Sequence, residues 1–236
     1  MYHELWNGSA KAIVSTDGGY VTNLSNDKGD IFYPKRTLKA ADGSEKLRGG
    51  CHVCLPNFGP GGDSGLDQHG FGRTSEWSVV TATETSIELE FSQNEGDYSG
   101  LVSHLAYVLA EDSFAMTLTI KNQGANPMRL APAFHPYFAC MGADDVMLDD
   151  QRQILDELGE AIFFNGRTHQ LVTPTHDITL VSETLPTWVK WTDRLGQYVC
   201  VEPSYAGFAF LEPVVDEQLL EPGVERAYSV TVRWRP

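Results

Sequence analysis

Apolar and polar residues take turns along most of this chain. In SIELEF, Ile87, Leu89 and Phe91 fall on one side of an extended segment, and Glu88 and Glu90 on the other. In FAMTLTIKN, Phe114, Met116, Leu118 and Ile120 alternate with Ala115, Thr117, Thr119 and Lys121. YSVTVRW sets Tyr228, Val230, Val232 and Trp234 against Ser229, Thr231 and Arg233. A period of two with one apolar face is the pattern of half-buried antiparallel strands. Turn signals separate the runs: DGG, NDKGD, NEGDYSG, NQGAN and EPGVE. Only Asp144 to Phe163 also admits a helix, with Val146, Ile154, Leu155 and Leu158 as irregularly spaced apolar positions. The pattern predicts one all-β domain over residues 1–236, built as two large packed sheets.

Charge narrows the partners. Seventeen basic against 32 acidic residues give a net charge of −15. Nucleic acid and anionic membrane both need a basic footprint, so neither is expected. An anionic small molecule remains compatible, because a local arginine pair outweighs a distant surface field. The opening residues, MYHELWNGSAKAIV, lack the basic and apolar stretches of a secretion signal, and no run approaches the ~18 apolar residues of a membrane span. The expectation is a cytoplasmic protein, in which the Asn7-Gly-Ser and Asn23-Leu-Ser triplets occur by chance.

The four cysteines are Cys51, Cys54, Cys140 and Cys200. CHVC has metal-ligand spacing, but no second CxxC accompanies it, and in a strand Cys51 and Cys54 point to opposite faces. Buried, reduced thiols are the expectation.

Four stretches carry chemistry. LRGGCHVC presents Arg48 before two glycines that allow close backbone approach. LDQHGFGRTSEW presents His69 and Arg73, with Glu76 solvated, at the end of a long loop candidate from Leu55 to Gly72. Loops of that length in a domain tend to be functional. APAFHPYF sets His135 among aromatic residues, where desolvation lowers its pKa and a neighbouring carboxylate raises it. YVCVEP ends an apolar strand on Glu202. Taken singly, Arg48 reads as an ion-pair partner, His69 and His135 as packed or hydrogen-bonded residues, and Glu202 as a solvated turn residue.

In this order, the stretches LRGG, PNFGP, QHGFGRTSEW, AFHPYF, LPTWVKW, VCVEP and LEPG resemble the aldose 1-epimerase (mutarotase) family, and most closely its hexose-6-phosphate branch. The resemblance runs from about Gly18 to the C-terminus. It implies a large antiparallel β-sandwich, the galactose mutarotase-like supersandwich, in agreement with the period of two. It implies Glu202 as catalytic base and His135 as catalytic acid, with His69 contacting the sugar and Arg48 and Arg73 holding a phosphate.

Exchanging anomers requires removal of the O1 proton, protonation of the ring oxygen, rotation about C1–C2 and reclosure. One base and one acid on opposite sides of the sugar suffice, with neither metal nor nucleotide cofactor. Arginine forks suit phosphate oxygens. Trp77 and Trp191 are candidates to face the sugar, with core packing the plainer reading of each. One departure concerns substrate: FFNGRTH puts Gly166 where the branch has a substrate-contacting aspartate, leaving Asn165 or Asp177 as stand-ins. The expected partner is a sugar or sugar phosphate, and the expected assembly a monomer or weak homodimer. A non-catalytic sugar-binding protein on the same scaffold is the alternative. A lyase or hydrolase would want a metal cluster or a second matched carboxylate.

Overall fold

The computed structural model describes residues 1–235. Two nine-stranded sheets dominate it. The first runs, in order, Tyr2–Asn7, Ala10–Ser15, Tyr20–Asn26, Gly29–Phe32, Ala133–Ala139, Tyr198–Ser204, Thr187–Trp191 and Ile162–Asn165, with Cys51–Cys54 paired to the third and fifth of these. The second runs Gln151–Ile154, Asp145–Leu148, Thr168–Val172, Asp177–Val181, Glu225–Trp234, Ser113–Asn122, Leu101–Leu109, Ser86–Gln93 and Ser78–Ala82. The pairings are antiparallel, as the alternating sequence predicts.

The second sheet has one wet face. Ser113–Asn122 alternates buried and half-buried residues along its whole length, with Phe114, Met116, Leu118 and Ile120 inside. These meet Leu24, Phe32, Phe138 and Val199 of the first sheet in one core. Trp77 belongs to that core, its Nε1 donating to Gly72 O at 2.9 Å.

The first sheet differs at its centre. All residues of Cys51–Cys54, Ala133–Ala139 and Tyr198–Ser204 are buried, so both of its faces are covered there. Cys51 and Val53 face the main core, while Cys54 joins Phe58, Ala133 and Val189 on the outer face. The two cysteines do point opposite ways, and all four are free, buried thiols. The hairpin Arg36–Lys39 and Glu45–Arg48 lays Leu38 over Tyr137, Tyr198 and Cys200 on the same outer face.

The segment Asp144–Phe163 is not a helix. It forms the hairpin Asp145–Leu148 with Gln151–Ile154, then a short 3₁₀ turn at Leu155–Glu157, then the start of Ile162–Asn165. Leu148 pairs with Gln151, so Asp149 and Asp150 are the whole loop, at φ 51° and 60°. Positive φ at both central residues is the turn whose twist matches that of paired strands, and aspartate tolerates it better than most residues. No described helix is long and apolar enough to cross a membrane.

Candidate active site

The outer face of the first sheet holds a cavity of ≈ 400 Å³. Its floor is made by neighbouring strands. Along Ala133–Ala139, His135 and Tyr137 alternate onto the outer face, and along Tyr198–Ser204 so do Cys200 and Glu202. Val189 lies opposite Glu202 in the ladder, and His52 lies opposite His135.

His135 Nε2 stands 3.4 Å from Glu202 Oε2, with both side chains almost fully buried. This corrects one expectation: the two groups touch one another and do not flank a sugar from opposite sides. The correction costs the chemistry nothing, because O1 and the ring oxygen are bonded to the same carbon. Adjacent groups on one floor can reach both atoms.

Burial pushes the Glu202 carboxyl well above its ordinary range. Burial, reinforced by His52, His69, Arg73 and Arg48, holds the His135 imidazole well below its own. Both shifts move a proton from histidine to glutamate. The pair therefore carries one proton, shared between a carboxyl and an imidazole in contact.

His69 comes from the loop and closes on it. Its backbone N–H donates to Gly59 O at 2.8 Å, and the Gly59 N–H donates back to His69 Nδ1 at 3.1 Å. Gly59 has φ +72°, and a Cβ there would lie 2.2 Å from the Phe208 ring. An Nδ1 that accepts must leave the ring proton on Nε2, which faces the Gln68 side-chain amide at 3.3 Å, so that amide must turn its oxygen to His69 to accept the proton. Burial, together with the positive Arg73 and Arg48, lowers the His69 pKa to about 3. The ring is a neutral, oriented donor.

Three cationic side chains border the cavity. Arg48 Nε is held by Asp193 at 2.8 Å, and its guanidinium lies 5.7 Å above the Trp191 ring. The Asp193 carboxylate also accepts from the Tyr198 hydroxyl. Arg73 Nη2 donates to Gln68 O at 2.9 Å. Lys46 lines the same cavity, and Glu160 joins Glu202 as the second acidic residue of the lining.

All five candidates named from sequence, Arg48, His69, Arg73, His135 and Glu202, border this one cavity. The stand-ins for the missing aspartate do not. Asp177 pairs with Arg235 at 2.8 Å on the second sheet, and neither Asn165 nor Gly166 lines the cavity. Gly166 is required for packing, since a Cβ there would sit 2.5 Å from the His169 ring. Trp191 is a wall of the cavity and not a core residue, whereas Trp77 is core. Sequence reasoning missed Lys46, Tyr137, Phe58 and Phe208 on the lining, and His52 beneath it. His52 was available: it shares a face with Cys54 by the period of two, and its ring stands 4.7 Å from that of His135.

The aldose 1-epimerase family model matches residues 2–158. The chain belongs to the aldose 1-epimerase family. The match takes in Arg48, His69, Arg73 and His135, while Glu202 lies beyond it and joins them through the pairing of Tyr198–Ser204 with Ala133–Ala139. A relative from Cenchrus ciliaris, named "Putative glucose-6-phosphate 1-epimerase", is 24% identical over 253 residues, which cover 88% of this chain and 76% of that protein. The fold is shared with a galactose mutarotase related enzyme from Lactobacillus acidophilus, at TM-score 0.80 and 16% identity over 100% of this chain and 98% of that one. A galactose mutarotase-like protein from Lactobacillus casei superposes at TM-score 0.79 and 16% identity over 100% of both chains. An aldose 1-epimerase is an isomerase that acts on sugars, and the site must be read in those terms.

Proposed function

We propose that this chain interconverts the α and β anomers of an aldohexose, and that its preferred substrate is a hexose 6-phosphate. The observation that carries the reading is the contact of His135 with Glu202, 3.4 Å apart on the floor of a cavity large enough for a pyranose.

One shared proton is enough for the whole cycle. With the proton on Glu202, the carboxyl protonates the ring oxygen while His135 Nε2 takes the O1 proton. The hemiacetal opens to an aldehyde. The pair is now carboxylate and imidazolium. After rotation about C1–C2, Glu202 removes the proton from the ring hydroxyl, and His135 protonates the carbonyl oxygen as the ring closes. The pair returns to its starting form, and atoms and charges balance. The assignment of Glu202 as base and His135 as acid describes the closing half of this cycle, and the opening half runs with the roles exchanged. His69 Nε2–H adds a fixed donor to a sugar hydroxyl or the ring oxygen. Tyr137 and Trp191 offer apolar faces to the sugar C–H groups.

The phosphate reading rests on Lys46, Arg48 and Arg73 in the cavity lining, and on the name carried by the Cenchrus relative. A chain of net charge −15 attracts anions only where cations are concentrated. A sugar-binding protein without turnover is the competing reading. It has no use for a buried carboxyl and a buried imidazole in contact, since each costs free energy to bury.

Anomer exchange followed by NMR, starting from α-glucose 6-phosphate and from α-galactose, tests the proposal. The expected result is exchange faster than buffer with at least one sugar, and rates near background for folded Glu202→Gln and His135→Asn variants. Wild-type exchange at the buffer rate with both sugars would turn the reading to the binding protein.

A further inference from the structure

Cys200 has no part in that cycle, yet it lies on the same sheet face as the two groups that do, buried beside the cavity against Tyr137 and Tyr198. One ligand atom each from His135, Cys200 and Glu202 lie within 4.8 Å of one another, and all three residues are buried. We propose that these three side chains form a binding site for one thiophilic divalent ion of the zinc class, entered through the sugar cavity and exclusive with the sugar.

The donor set is the first argument. A nitrogen, a sulfur and an oxygen together suit zinc, cobalt(II) or cadmium, and suit magnesium or calcium poorly. Geometry is the second. Metal–ligand bonds of ~2.0–2.3 Å put tetrahedral ligand pairs at roughly 3.3–3.7 Å. The His135–Glu202 edge of 3.4 Å already has that length. With all three atoms within 4.8 Å of one another, the sulfur needs to close in by about 1.5 Å at most. Three protein ligands leave a fourth position, and that position faces the cavity, because His135 and Glu202 both line it. The ion would occupy the atoms that handle the substrate protons, so ion and sugar compete. Binding releases two protons to solvent, the thiol's and the one that His135 and Glu202 share, because the ligands must be a thiolate, a neutral imidazole and a carboxylate.

Occupation of the site stands on its own, and only its inhibitory effect rests on the anomerase reading. Cobalt(II) titration of the intact protein tests the site itself. One ion per chain should bind, with a thiolate-to-cobalt charge-transfer band in the near ultraviolet that zinc abolishes. Loss of a partner behind a metal ligand already weakens binding ~10–100-fold. Cys200→Ser should therefore lose the band and weaken zinc at least about 10-fold by calorimetry, and Cys54→Ser should keep both. In the anomer-exchange assay, zinc should raise the wild-type KM and leave kcat alone. A wild-type protein that gives no band overturns the proposal, whatever the variants do. So does a band that survives Cys200→Ser and vanishes with Cys54→Ser, or zinc inhibition that lowers kcat at constant KM. A protein that gives the Cys200-dependent band but turns over neither sugar supports the ion site and sinks the anomerase reading alone.

Discussion

His69 makes the protein sensitive to acid by an amount that follows from its surroundings. Its pKa in the fold is about 3, lowered first by burial and then by the nearby Arg73 and Arg48 charges. In the unfolded chain a histidine titrates near ~6.5. The folded value is depressed, so the neutral ring contributes stability above the unfolded pKa, and this is lost as pH falls towards the folded one. Between pH 7 and pH 5 the unfolded ring takes up its proton and the folded ring does not. Integrating the proton difference gives about 2 kcal/mol lost over that interval from this residue alone. The diagnostic variant is His69→Asn. Position 69 has φ 67°, a region asparagine tolerates, and an asparagine oxygen can accept from the Gly59 N–H as Nδ1 does. The variant thus keeps the loop and removes the titration. Urea unfolding of both proteins at pH 7 and pH 5 measures the effect. The wild type should lose about 2 kcal/mol more than the variant. Equal losses in the two proteins, with both folded at pH 7, would refute the account of a desolvated, neutral His69.

Other consequences can be checked with the same materials. Glu202→Gln and His135→Asn should each lower kcat/KM ~10²- to 10⁴-fold in the exchange assay, the usual contribution of a positioned proton-transfer group. Arg73→Ala should raise the KM for glucose 6-phosphate about 10-fold or more, the loss of one charge-assisted hydrogen bond, and leave galactose exchange unchanged. An equal effect on both sugars would remove Arg73 from phosphate recognition. In the pH profile of kcat/KM, burial holds His135 below its usual ~6.5 and Glu202 above its usual ~4.3, so activity should persist as pH falls through 6.5. An acid limb centred at or above that point would contradict the one-proton pair. Gly166→Ala should destabilise the fold by ~1–3 kcal/mol in urea, because its Cβ would strike the His169 ring.

What could be read from sequence, and what could not, divides along a physical line. Alternation specifies which side of its own strand a residue takes, and it placed Phe114, Met116, Tyr228 and Val232 correctly in the core. It separated Cys51 from Cys54 for the same reason. It carries no information on which strands become neighbours. The facing of His52 with His135, and of Val189 with Glu202, is a matter of register between distant segments. The resemblance to a family supplied the five cavity residues, but not the contact between two of them. Asp144–Phe163 stayed open to a helix because the two-residue turn at Asp149 and Asp150 has no Gly or Pro to mark it. Asp177 failed as a stand-in because a strand later than Gly166 in the chain joins the other sheet.

The buried pair poses a problem of its own, and its solution explains the shape of the site. An isolated carboxylate or imidazolium in this floor would cost several kcal/mol to desolvate. Placed in contact, the two groups avoid that cost by holding one proton between them, so that neither needs a charge in the resting state. Burial, helped by the Arg73 and Arg48 charges, keeps His135 from gaining a second proton, and burial keeps Glu202 from losing the first. The low dielectric that makes charge costly here also makes the proton easy to pass, because moving it from carboxyl to imidazole creates an ion pair whose attraction is strong where water is excluded. In water the glutamate would stay ionised near neutrality and the histidine would titrate independently of it. Buried in contact on adjacent strands, they rest as a neutral carboxyl and imidazole and reach the ion-paired form only when substrate relays the proton between them.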